Sequence, residues 1–108
     1  DPEVSLQLYR ITQEAILNAA RHGQAKNIDV LLSRRKNNLR LVIRDNGKGF
    51  DPKQIMASTQ KSRSLGLNIM LERTKQINGL FSLQSKINQG TIITVTCQIN
   101  PYKREENI

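Results

Sequence analysis

The chain has 108 residues, with one cysteine, one histidine and no tryptophan. A lone cysteine excludes an internal disulfide, and with a single histidine beside it no structural zinc set can be assembled. Aromatic residues make up 4% of the chain (Tyr9, Phe50, Phe81 and Tyr102). They are not interleaved with basic residues as a stacking platform for single-stranded nucleic acid requires. Helix-turn-helix and zinc-finger spacings are absent as well. No apolar run approaches the roughly 18 residues of a membrane span. The N-terminus carries no basic stretch followed by an apolar one, so no signal peptide is read, and its abrupt Asp1-Pro2 start suggests a domain cut from something longer. Acidic residues are scarce too, 9 against 17 basic ones, for a net charge of +8. The basic residues are scattered (Arg34, Arg35, Arg40, Arg44, Lys61, Arg63, Lys103), which favours a solvated basic surface and no nucleic-acid partner, while leaving a phosphate-bearing ligand open.

Composition and length fit one soluble domain with one core. Asp1-Pro2-Glu3 combines a capping carboxylate, proline at the first helical position and an acid in the first turn. It opens a helix over 2–22, with Val4, Leu8, Ile11, Ala15, Ile16 and Ala19 forming one apolar arc and Gly23 as a stop. Ile28, Val30 and Leu32 alternate as a strand, Lys36-Asn37-Asn38 turns, and Leu39, Leu41 and Ile43 return as its hairpin partner. Residues 51–64 are polar and read as a loop with one short helical turn at Ile55-Met56. A second helix is predicted over 65–77, with Leu67, Met70, Leu71, Thr74 and Ile77 as its stripe. Strands over 80–86 and 91–99 close a domain spanning 1–100, followed by a charged tail, 101–108. Cys97 shares parity with Ile93, Val95 and Ile99 and is expected in the core. Two amphipathic helices over strands with one apolar face make a two-layer α/β sandwich.

Polar residues stand where this pattern would bury apolar ones. Glu14, Asn18 and His22 fall four apart and stack along one helix edge. Asn is a poor helix-interior residue, so Asn18 either offers its carbonyl oxygen to a hard cation such as Mg²⁺ or is simply solvated. Glu14 can orient or deprotonate a nucleophile, or pair on the surface with Arg10 or Arg21. His22 and Arg21 can reach phosphate, or serve only as cations in the last helical turn. Asp45 continues the parity of Leu39, Leu41 and Ile43 and so points inward, where a carboxylate needs a donor; the exocyclic amine of adenine is a suitable one. Asn46-Gly47 has the wording of a hairpin turn, but Lys48-Gly49-Phe50-Asp51-Pro52 supplies no returning strand, and the second glycine suggests backbone against a ligand. Thr91, in register with Ile93 and Val95, also points into the sandwich. Ser64-Leu65-Gly66-Leu67 opens the second helix with free N–H groups suited to an anion, and Lys61 and Arg63 precede it; no P-loop is present.

Taken together, these segments resemble the ATP-binding catalytic domain of bacterial sensor histidine kinases, a Bergerat-fold family, in wording close to the nitrate- and membrane-fluidity-sensor subfamily. Ile11 to His22 looks like the N box, Asp45-Asn46-Gly47-Lys48-Gly49-Phe50 the G1 box, Leu65 to Arg73 the G2 region and Gln89-Gly90-Thr91 the closing element. The resemblance implies a mixed, mostly antiparallel sheet packed against helices, with 51–64 as an ATP lid. It implies Mg²⁺ on Asn18, Glu14 near the γ-phosphate as base, and adenine on Asp45 with help from Thr91. Gly47 and Gly49 would shape the pocket wall. Gly66 would admit the phosphates with Ser64, Leu65, Leu67, Lys61, Arg63, Arg21 and His22 around them. Where the family opens its G2 region Gly-x-Gly-Leu, this chain has Ser64 for the first glycine, which implies altered lid mobility with binding retained. The implied partners are a phosphoacceptor/dimerisation domain, absent here because the only histidine is His22, and a response regulator. The domain itself is expected to be cytosolic, monomeric and without direct membrane contact, in a homodimeric parent. Two other readings compete: a serine kinase of the anti-sigma type with the same fold, and a non-enzymatic basic binding module.

Overall fold

The structure, a computed structural model, describes residues 1–99. Helix α1 (Pro2–Arg21) is followed by the hairpin β1 (Ile28–Arg35) and β2 (Asn38–Asp45), then by three helices, α2 (Pro52–Met56), α3 (Thr59–Ser64) and α4 (Leu67–Gln76), and a second hairpin, β3 (Leu80–Lys86) and β4 (Gly90–Gln98). The tail predicted over 101–108 lies outside the described residues. The sheet order is β1-β2-β4-β3. All three pairings are antiparallel. Helices on one face of this sheet give the two-layer arrangement expected.

Local chemistry sets the element ends. The Asp1 carboxylate accepts from Glu3 N at 2.8 Å and Pro2 occupies the first turn of α1. The first hairpin closes through Lys36 and Asn37, with Lys36 at φ +56°, and Asn38 already belongs to β2. The core forms where α1 and α4 meet the sheet: Ile11, Met70 and Val95 are almost fully enclosed, with Leu41, Ile43, Ile93 and Cys97 around them.

Three expectations need correction. The 51–64 stretch is not mainly loop. Asp51 caps α2 by accepting from Lys53 N, and Ser58 caps α3 by accepting from Lys61 N. These caps with Pro52 are sequence-legible helix starts that a reading by polarity passed over. The second helix begins at Leu67 and not Leu65, because Gly66 adopts a left-handed conformation (φ 65°, ψ 26°) that breaks the turn. Ile16 is 38% exposed, whereas Gln7, on the opposite side of α1, is buried because α4 there offers Arg73 and Gln76 as polar partners. On the sheet, β1 is an edge whose Val30 and Leu32, paired with Ile43 and Leu41, remain largely exposed beyond the helical layer.

Candidate functional site

One end of the sandwich is hollow. A cavity of about 260 Å³ opens between the C-terminal half of α1, the ends of β2 and β4 and the α3–α4 junction. Its floor is apolar, from Ile43, Ile93, Leu83 and Met70, and its rim carries Asn18, His22, Asp45, Lys61, Ser64 and Thr91. Apolar floor with a few convergent polar groups is the usual make-up of a small-molecule site.

The sheet register builds the polar end. Asp45 lies directly opposite Thr91, and Thr91 directly opposite Ser85, so the three side chains form one row across β2, β4 and β3 on the same face. The next row, Ile43, Ile93 and Leu83, is apolar. Asp45 accepts from Gly47 N at 2.8 Å through Oδ1. The loop after Asp45 turns away from the sheet, as its lack of a returning strand indicates. Asn46 Oδ1 accepts from Lys26 N and Asn27 N, both at 2.9 Å, and Lys48 N donates to Gly23 O at 2.8 Å. These bonds fasten the loop to the end of α1. Gly49 (φ +62°) passes so close to the Lys86 carbonyl that a Cβ would overlap it.

On the opposite wall, Asn18 Nδ2 donates to Leu65 O at 2.6 Å. A carbonyl can only accept, so the amide nitrogen must face Leu65, and Oδ1 is turned from that contact and left as an acceptor. A hard neutral oxygen held in place, with the Glu14 carboxylate one turn away, suits Mg²⁺. Glu14 itself does not line the cavity; its carboxylate packs over Gly66, where any Cβ would overlap Oε1. Arg10, one candidate partner for Glu14, donates to Gln13 Oε1 at 3.3 Å. Among the described residues, no cluster of three His, Cys, Asp or Glu side chains could hold a metal.

Of the residues singled out from the sequence, Asn18, His22, Asp45, Gly49, Lys61, Ser64, Leu65, Leu67 and Thr91 line this one cavity. Gly47 and Gly66 sit just behind its wall, as the partners of Asp45 and Glu14. Arg21 and Arg63 are exposed and do not line it. Phe50, Ile55 and Gly23 line it without having been singled out, and the buried Ser85 behind Thr91 was missed. Its parity with Phe81 and Leu83 on β3 was the available signal.

Over 100 residues the chain is 42% identical to the sensor histidine kinase LiaS of Bacillus subtilis, covering 93% of this chain and 26% of LiaS. It is 39% identical over 94 residues to the signal transduction histidine-protein kinase/phosphatase DegS of the same organism, covering 87% of this chain and 24% of DegS. The chain thus spans about a quarter of the length of these curated relatives. The ATP-binding domain of PrrB from Mycobacterium tuberculosis superposes with a TM-score of 0.72 at 22% identity, covering 88% of this chain and 68% of that one, which is a likeness of fold. The family model described as histidine kinase-, DNA gyrase B- and HSP90-like ATPase matches residues 3–101, and the chain belongs to that family.

Proposed function

We propose that this chain is the Mg-ATP-binding catalytic domain of a sensor histidine kinase and donates the γ-phosphoryl group to a histidine on a separate phosphoacceptor/dimerisation domain, from which a response regulator is then phosphorylated. The observation that carries this reading is the pairing of Asp45 with Thr91 beside an apolar floor, with Asn18 and His22 lining the same cavity. A purine fills the slot with its amine toward Asp45, and the phosphates extend toward His22, Lys61 and the backbone N–H groups at the start of α4. Mg²⁺, when bound, would sit on Asn18 Oδ1 and neutralise charge on the phosphates. Glu14, next to Gly66, takes the proton of the incoming imidazole as its nitrogen bonds to the γ-phosphorus and the bond to the bridging oxygen of ADP breaks. The parent kinase places this domain in the cytosol. Among the described residues no helix is long and apolar enough to cross a membrane.

Calorimetric titration with ATP and Mg²⁺ tests the binding step. Saturable binding is expected, with Asp45→Asn weakening it about 10- to 100-fold, the loss of one charge-assisted hydrogen bond. No saturable binding overturns the reading. Supplied with a phosphoacceptor domain, the protein should form an acid-labile phosphoryl adduct; an acid-stable one would support the serine-kinase alternative.

A further inference from the structure

Behind Thr91 stands a buried hydroxyl for which nucleotide contact gives no account. Ser85 Oγ lies 2.8 Å from Phe50 N, 3.1 Å from Gly90 O and 2.8 Å from Thr91 Oγ1. A serine hydroxyl has one proton to give and two lone pairs to receive with. Phe50 N–H can only donate, so it takes one lone pair. Gly90 O can only accept, so it takes the proton. The remaining contact, with Thr91, is then satisfied in one direction only: Thr91 donates its proton to Ser85.

With its proton committed backwards, Thr91 turns only lone pairs toward the ligand. Asp45, its neighbour in the row, is a carboxylate with Oδ1 occupied by Gly47 N–H and, among the described residues, no protein donor on its other oxygen. The Asp45–Thr91 side of the cavity therefore presents side-chain acceptors alone. At the exocyclic position a 6-amino purine brings two N–H donors to such a wall, whereas a 6-oxo purine sets its carbonyl lone pairs against it, a mismatch there. Resting on the nucleotide-binding reading above, we infer that Ser85 is a positioning residue that fixes the hydrogen-bond polarity of Thr91 and so sets the pocket's preference for a 6-amino over a 6-oxo purine. Without the Ser85 hydroxyl, the Thr91 proton is free to swing into the cavity and meet a 6-oxo group.

The test is the ratio of affinities for ADP and inosine diphosphate in Mg²⁺, measured by calorimetry. A residue that merely packs would shift both affinities together and leave the ratio alone. Wild type should prefer ADP. Ser85→Ala should lower the ADP-to-IDP ratio on the order of 3- to 10-fold, the worth of one net hydrogen bond. Ser85→Cys keeps the shape with a weak donor and acceptor, so it should move the ratio the same way even if the alanine variant folds poorly. In a Thr91→Val background, Ser85→Ala or Ser85→Cys should change the ratio no further. An unchanged ratio in the folded Ser85 variants, or a full additional effect in the Thr91→Val background, overturns the inference while leaving ADP binding intact. Absence of ADP binding by the wild type overturns the nucleotide reading itself, and this inference with it.

Discussion

Asn18 on α1 reaches across 47 positions of sequence to donate its amide to the Leu65 carbonyl at 2.6 Å, tying the helix that bears Glu14 to the hinge at which α4 begins. The same side chain is the proposed metal ligand through its other atom, so one residue couples two functions that can be separated chemically. Asn18→Ala removes both: stability should fall by about 1 kcal/mol, and the Mg²⁺-dependent part of ADP affinity should disappear. Asn18→Asp removes only the first, since its oxygen repels Leu65 O but still offers a cation ligand. Thermal melts with and without Mg-ADP check this. An Asn18→Asp variant that melts like wild type would refute the tie.

Gly66 is held at φ +65° directly beneath the Glu14 carboxylate, so a side chain there meets two obstacles at once. Gly66→Ala should cost about 1–3 kcal/mol in a urea titration. Trimming the obstacle with Glu14→Ala should recover part of that loss but not all, because the left-handed backbone still disfavours a Cβ. Full recovery would assign the glycine to steric clearance alone, and no recovery to backbone conformation alone.

How much of this was legible beforehand depends on the kind of residue. The helix and strand periods, the Asp1-Pro2 cap and the inward parity of Asp45 and Thr91 are local features, and the structure follows them closely. Positions that depend on a partner distant in sequence were not legible. Ile16 lies at the edge of the apolar arc and stays 38% exposed, whereas Gln7 is buried because Gln76 and Arg73 come to meet it. Ser85 shares the inward parity of Phe81 and Leu83, but only the register sets it beside Thr91. The 51–64 stretch failed for the opposite reason: its caps at Asp51 and Ser58 are local, but polarity was weighed ahead of them.

Gln7 is the hub of a polar clip between α1 and α4, 4% exposed. Its amide donates to Glu3 Oε1 at 2.9 Å and Gln76 Oε1 at 2.7 Å, and its carbonyl accepts from Arg73 Nη1 at 3.0 Å. None of these residues lines the cavity. Gln7→Ala should therefore destabilise the fold by about 1–3 kcal/mol, by stranding partly buried groups, while leaving the ADP dissociation constant within about twofold, the scatter expected for sites with no shared partners. Urea unfolding paired with calorimetry measures both, and a large loss of affinity without loss of stability would contradict the separation.

Cys97 is buried on β4 opposite Leu39, and its desolvation raises the thiol pKa above the usual 9.0. The folded thiol therefore keeps its proton at a pH where the unfolded one has lost it. Its contribution to stability is complete below about pH 9 and is lost as pH climbs toward the raised folded value, because ionisation then favours the unfolded chain. Other groups titrate in the same range, so the measurement is a comparison. Between pH 8 and pH 10, wild type should lose more urea-unfolding stability than Cys97→Ala, although Cys97→Ala starts lower because of the cavity it leaves. Iodoacetamide should modify the native thiol far more slowly than the urea-unfolded one, since only the thiolate reacts. Equal pH slopes for the two proteins, or equally fast modification of native and unfolded chains, would show that the thiol is open to solvent and that its place in the β4 wall is not closed.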